Sequence, residues 1–154
     1  MSQECHKDNL LISTDPAKLD LDVIRELMKQ YYWAENIPQA VIKNAVQNSL
    51  CFGIYRQQTQ IGFARVITDY ATIAYIADVF LLEDVRKREL LKWLMECIVT
   101  HPSLQMLKQW FFASKEGLYA KFKYIPLETA EQLVETYVAY SASKRVNTGE
   151  SWHR

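Results

Sequence analysis

Residues 74–101, AYIADVFLLEDVRKRELLKWLMECIVTH, constrain this chain more than any other stretch. The first half is a nearly unbroken apolar run carrying one acid, Asp78. Tyr75, Val79, Phe80 and Leu81 are residue types that suit a pleated, buried strand. The period then changes. Leu90, Leu91, Leu94, Met95 and Ile98 recur at helical spacing, with Lys92 and Glu96 between them. Pro102 ends that helix because its ring cannot continue the hydrogen-bond ladder. A charged turn, Glu83-Asp84-Val85-Arg86-Lys87-Arg88-Glu89, joins the halves. A buried strand feeding a helix through a basic turn is a place for an anion. The first amides of a helix lack partners, and the helix dipole adds positive potential there.

The remainder must build a domain around that unit. At 154 residues one domain is expected, long enough to bury a core. Equal numbers of basic and acidic residues, 18 each, exclude a general polyanion binder, so no nucleic-acid partner is expected. The same neutrality offers little resistance to self-association, which is compatible with a homodimer. The three cysteines, Cys5, Cys51 and Cys97, form no CxxC pair, and the three histidines sit in no ligand pattern, so no metal site is expected. Buried cysteines in a reducing compartment are the ordinary reading of Cys51 and Cys97. Residues 1–9 are polar and lack the apolar core of a signal peptide, and no apolar run reaches membrane-spanning length. The expectation is a soluble cytoplasmic protein without a membrane partner.

Taken in order, residues 1–9 read as a flexible start, 10–140 as the domain and 141–154 as a polar, flexible tail. Leu10-Leu11-Ile12-Ser13-Thr14 reads as a first strand, broken at Asp15-Pro16. Leu21, Val23, Ile24, Leu27, Met28 and Tyr31 follow helical spacing behind a capping Asp20. Residues 39–48 read as a second helix. Residues 49–55 and 61–67 read as a hairpin around the polar turn Arg56-Gln57-Gln58-Thr59-Gln60. Residues 108–113 read as the next strand, and a short helix could begin at Gly117. Beyond Pro126 the pattern fits two structures. Thr129-Ala130-Glu131-Gln132 looks like a capping box before a helical stripe, while Val, Tyr and Thr over 133–140 suit a strand. The class is α+β: a mixed, mostly antiparallel sheet flanked by helices, with one parallel crossover through residues 74–113.

The segments SLCFGIY, IGFARVITDYATIAYIADVFLL, RKRELLKWLME, HPSLQMLKQWFFASKEGLYAKF and PLE resemble a bacterial subgroup of the GNAT superfamily, the acetyl-CoA-dependent N-acetyltransferases. The resemblance runs from about residue 11 to 138. It implies the acyl-CoA N-acyltransferase fold, a last strand near 133–138, and acetyl-CoA as cosubstrate. It also implies that the central strand, at Val79, Phe80 and Leu81, hydrogen-bonds the pantetheine arm with its backbone. The following turn, Arg86, Lys87, Arg88, Glu89, Leu90 and Leu91, falls where the family wraps the pyrophosphate, and Ser114 is a further candidate for binding the cosubstrate. Arg86 matches the first position of that motif. Its glycine positions hold Glu89 and Leu91, and a further one holds Lys87. The glycine-poor turn is the main departure; the shortened Ser114-Lys115-Glu116 and the Phe122-Lys123-Tyr124 run are others.

Tyr119 matches the family tyrosine that protonates the departing thiolate. Its alternative is a core aromatic. Asp78 lies where an acid can face the acceptor pocket, and equally suits a buried structural acid. Tyr31, Tyr32 and Trp33 are candidate acceptor-pocket residues or a helix-end cluster; Arg65 is a further acceptor candidate. Two functions remain open. One is an N-acetyltransferase acting on a small-molecule amine or an exposed amino group. The other is a catalytically impaired binding or regulatory protein of the same fold, as a homodimer.

Overall fold

The computed structural model describes residues 2–31, 36–82, 87–112, 134 and 138. Six strands form one sheet in the order β1 (Glu4–Lys7), β2 (Leu10–Ser13), β3 (Leu50–Arg56), β4 (Thr59–Thr68), β5 (Ile73–Leu81) and β6 (Gln109–Phe112). Neighbours are antiparallel except β5 and β6, which are parallel. The helices are α1 (Leu21–Tyr31), α2 (Gln39–Gln47) and α3 (Lys87–Val99). This is the expected mixed, mostly antiparallel α+β sheet, with α3 as the crossover between β5 and β6.

Local chemistry sets these elements. Asp20 caps α1: its Oδ1 accepts from the amides of Asp22 at 3.0 Å and Val23 at 3.2 Å. Gln60 ties that cap to the sheet, accepting from the Asp20 amide at 2.8 Å and donating to the Gly62 carbonyl at 3.0 Å. The β4–β5 turn is held by Asp69, whose Oδ1 accepts from the amides of Ala71, Thr72 and Ile73 at 3.0, 2.8 and 3.1 Å. At Gly53 any Cβ would collide with the ring of Tyr55, which lies across it.

The two sheet faces bury different cores. Ile12, Phe52, Ile54, Ala64, Val66, Ala74, Ile76 and Leu81 face Leu90, Leu91, Leu94, Met95 and Ile98 of α3. The opposite face sets Cys51, Phe63 and Phe80 against Ile24, Leu27 and Met28 of α1 and Ile42 of α2. Each large apolar side chain enclosed this way contributes about 1.5–3 kcal/mol.

Two expectations are corrected. The start is not wholly loose, because Glu4–Lys7 pairs with Leu10–Ser13 across a tight turn with Asp8 at φ 55°. Ladder bonds to β2 and one inward side chain, Cys5, hold four residues that show little alternation of their own. At the other end, Val134 and Val138 are helical and buried in the α3-side core, in line with the helical stripe and against the strand near 133–138 that the resemblance implied. Their burial in that core outweighs the strand propensity of valine. The expected short helix at 117–121, the turn at 128–132 and the tail 141–154 lie outside the described residues.

Candidate functional site

A bulge in β5 builds the site. Val66 pairs with Ile76 and Arg65 with Asp78, so Ala77 has no opposite residue. One extra residue reverses the face taken by the side chains that follow. Ile76 therefore lies in the α3-side core, while Asp78 and Phe80 turn to the α1/α2 face. Cys51, Arg65 and Asp78 stand in one row across β3, β4 and β5.

The row is polar and enclosed. Arg65 Nε donates to Asp78 Oδ2 at 2.5 Å; the Asp78 side chain has no exposure and that of Arg65 has 16%. Arg65 Nη1 donates to Ser49 Oγ at 3.3 Å, and Ser49 donates to the Ala45 carbonyl at 2.7 Å. The Cys51 thiol donates to the Val46 carbonyl at 3.6 Å. Carbonyls of α2 thus anchor the row. Burial pushes the Cys51 thiol up to about 12, with Arg65 pulling it down and Asp78 pushing it up, so it is a neutral thiol at neutral pH and not a nucleophile. Burial, then Asp78, also raises the Tyr75 hydroxyl, against an opposing pull from Arg65. Enclosing this ion pair costs desolvation, and its hydrogen bonds offset that cost without making it a strong source of stability.

The β5 backbone supplies a second feature. Its parallel ladder with β6 runs from Ile73 opposite Gln109 to Ile76 opposite Phe112, while β5 itself continues to Leu81. The Leu82 amide donates to the Ile61 carbonyl at 2.9 Å. Hydrogen-bonded and non-hydrogen-bonded pairs alternate along an antiparallel ladder. Phe80 and Asp78 therefore bond toward β4, and Val79 and Leu81 turn their amides and carbonyls toward the β6 side.

The turn after β5 differs from a glycine-rich one. Lys87, Glu89 and Leu91 all belong to α3. Arg88 and Glu89 are exposed in its first turn, whereas Leu90 and Leu91 are 5% and 4% exposed in the α3-side core. A cofactor could meet Leu90 and Leu91 only through backbone, and amides past the first turn are committed to carbonyls four residues back. Tyr31 closes α1. Tyr32, Trp33, Arg86, Ser114 and Tyr119 lie outside the described residues. Of the sequence candidates, Arg65 and Asp78 are brought together, and Phe80 stands beside them on the same face. Ser49, Cys51 and Tyr75 join them without having been singled out for it. A lone acid in β5 opposite a lone arginine in its hairpin partner was the signal for the pair; nothing in the residue types marks the Ala77 bulge.

Among the described residues no group of three His, Cys, Asp or Glu side chains could hold a metal ion, and no helix is long and apolar enough to cross a membrane. No family model matches the chain. A protein of Gibberella zeae assigned as an acetyltransferase is 28% identical over 116 residues, 62% of this chain; the match spans 66% of that relative's length, just under two thirds. A GNAT family acetyltransferase of Elizabethkingia anophelis, solved with acetyl-CoA bound, shares the fold at 14% identity and a TM-score of 0.51, over 69% of this chain and 65% of that one. A crystal structure from Xanthomonas campestris pv. campestris, assigned as an acetyltransferase of the GNAT family, is 42% identical with a TM-score of 0.64, over 71% of this chain and 78% of that one. With that identity over that coverage, and with the strand-and-helix plan described above, this chain belongs to the GNAT family of acetyltransferases.

Proposed function

We propose that the protein transfers an acetyl group from acetyl-CoA to an amine, either a small molecule or an exposed amino group. The observation that carries this reading is the register of β5. Val79 and Leu81 aim backbone donors and acceptors to the β6 side, beyond the last pair of that ladder among the described residues, Ile76 with Phe112. A pantetheine arm, which carries two amides, can bond there as a substitute strand, with Phe80 between them packed into the α1/α2 core. The amine nitrogen attacks the thioester carbonyl, a C–N bond forms, the C–S bond breaks, and the sulfur takes a proton. Tyr119 is the proposed donor of that proton.

Asp78 enters this reading as a positioning residue. Its carboxylate is enclosed and committed to Arg65, so it orients the guanidinium, and the amine's proton leaves through an ordered water. A pH–rate profile separates the roles. Asp78→Asn should raise KM and keep the acid limb of the profile; loss of that limb would make Asp78 the base.

The wound start of α3 favours weak acetyl-CoA binding, since Lys87 and Glu89 hold positions that are glycine in the family motif. Lys87→Gly with Glu89→Gly should tighten acetyl-CoA binding at about 1 kcal/mol of helix propensity per site. Leu91 is left in place because it is a core residue. The function itself is tested by following free thiol release from acetyl-CoA across a panel of amines. Tyr119→Phe should lower turnover more than affinity, because its hydroxyl acts on charge that develops only in the transition state. No thiol release with any amine, at acetyl-CoA concentrations shown calorimetrically to saturate, would favour a binding protein instead.

A further inference from the structure

The sheet edge farthest from β6 carries a pair of thiols that the proposed acetyl transfer does not use. Cys5 pairs with Ile12, and Ile12 with Ile54. Both isoleucines belong to the α3-side core, so the register turns Cys5 toward α3, and Cys5 packs against that core. Cys97, 5% exposed on α3, is in the same core. Cys5 is the neighbouring thiol that acts on Cys97 across that shared core. Both are free, with Cys5 half-buried and Cys97 buried. The third cysteine, Cys51, lies on the opposite face, bonded to α2.

We propose that Cys5 and Cys97 are a reversible dithiol–disulfide pair that fastens edge strand β1 to α3 when a low-molecular-weight disulfide such as oxidised glutathione is present. Cys5 is the more accessible thiol and reacts first. Its thiolate attacks one glutathione sulfur, the glutathione S–S bond breaks, and one glutathione leaves as a thiolate that takes a proton. Cys97 then loses its proton to solvent and attacks the Cys5 sulfur of the mixed disulfide, releasing the second glutathione. Two protein thiols are oxidised and one glutathione disulfide is reduced to two thiols. Burial and the neighbouring Cys5 hold the Cys97 thiol up, which makes the second step the slow one. A disulfide sets its sulfurs about 2 Å apart, so the link requires Cys5 to close onto α3. The bond would join points far apart in sequence, which restricts the unfolded chain strongly, and it would hold a strand that has one sheet neighbour.

The test incubates the full chain with oxidised glutathione and follows intact mass, non-reducing peptide maps and thermal unfolding. The expected product has lost two hydrogens, contains a Cys5–Cys97 peptide, retains no glutathione and keeps Cys51 free. It unfolds several degrees higher and reverts with dithiothreitol. Cys97→Ala should stop at glutathione on Cys5. If that variant does not fold, the wild-type time course reads the same order, with the adduct on Cys5 appearing and then disappearing. Persistent glutathione on wild-type Cys5, a link through Cys51, no reaction, or a link that lowers the unfolding temperature would each overturn the proposal.

Discussion

The two faces of the sheet are built to different rules. Beneath α3 the core is almost wholly apolar, and Leu94, Met95 and Ile98 are completely enclosed. Beneath α1 and α2 the apolar cluster is smaller, and it borders an enclosed row of thiol, guanidinium and carboxylate. The first face contributes stability in the ordinary way, by removing apolar surface from water. The second surrenders some of that gain to desolvate charges, and it lies beside the strand that the proposed cosubstrate would meet. The contrast assigns packing to one face and chemistry to the other, with the Ala77 bulge as the point where β5 passes from serving the first to serving the second.

The largest expected effect comes from splitting the ion pair. Arg65→Met leaves the Asp78 carboxylate enclosed without the guanidinium it binds and should cost about 3–5 kcal/mol in urea unfolding. Arg65→Met with Asp78→Leu should recover most of that loss, because apolar side chains fill the row without desolvating charge. Acetyl transfer should stay impaired in the double variant. A double variant as unstable as the single one would show that the row stabilises the fold, and the contrast between faces would fail.

On the other face, Leu94→Ala should cost about 2–5 kcal/mol through lost burial and the cavity left behind. Acetyl-CoA affinity measured well below the unfolding midpoint should stay unchanged. A smaller loss, about 0.5–1.5 kcal/mol, is expected for Ile42→Val beneath α2. Changed KM for the acceptor in Ile42→Val, beside unchanged KM in Leu94→Ala, would sharpen the division.

The smallest effect is a pH dependence on the α3 side. His101 is 2% exposed, its Nδ1 accepts from the Ser103 amide at 3.1 Å, and its ring meets Phe52 edge-on at 5.7 Å. Burial lowers its affinity for a proton below the ordinary value of 6.5. The unfolded chain then binds the proton at higher pH than the folded one. Stability from this source is complete above about 6.5 and is lost as pH falls from there through the lower folded value. Melting temperature should fall modestly between about pH 7.5 and 5.5, and His101→Gln should flatten that slope. Asp69 acts in a separate, more acidic window. Hydrogen bonds from Thr72, Ala71 and Ile73 hold it well below its ordinary 3.8, so its contribution is present above that value and lost as pH falls through the folded one.

Much of the fold was legible because local signals agreed with tertiary packing. Asp20 ahead of Leu21, Val23, Ile24 and Leu27 announced α1, and the polar turn Arg56-Gln57-Gln58-Thr59-Gln60 announced the β3–β4 hairpin, tightened in the structure to Gln57-Gln58. Apolar spacing over residues 90–98 announced α3. Where energy comes from distant partners, local pattern fell silent. β1 depends on its ladder with β2, and Val134 and Val138 follow the core they complete. The site was legible as parts. Asp78 stood out as the one acid in an apolar run, and Arg65 was a candidate for binding the acceptor. Their pairing depends on register, and the face they share depends on the Ala77 bulge, which no residue type encodes. Leu91 shows the converse: implied by the resemblance to replace a glycine beside phosphate, it is a core residue by packing.

Residue-resolved amide hydrogen exchange of β5 with and without saturating acetyl-CoA tests the proposed slot most directly. The register predicts an alternating response: slower exchange at Val79 and Leu81, and little change at Asp78 and Phe80, whose amides already face β4. Unchanged exchange at Val79 and Leu81 with acetyl-CoA bound, or equal protection at all four positions, would contradict β5 as the strand that holds the pantetheine arm.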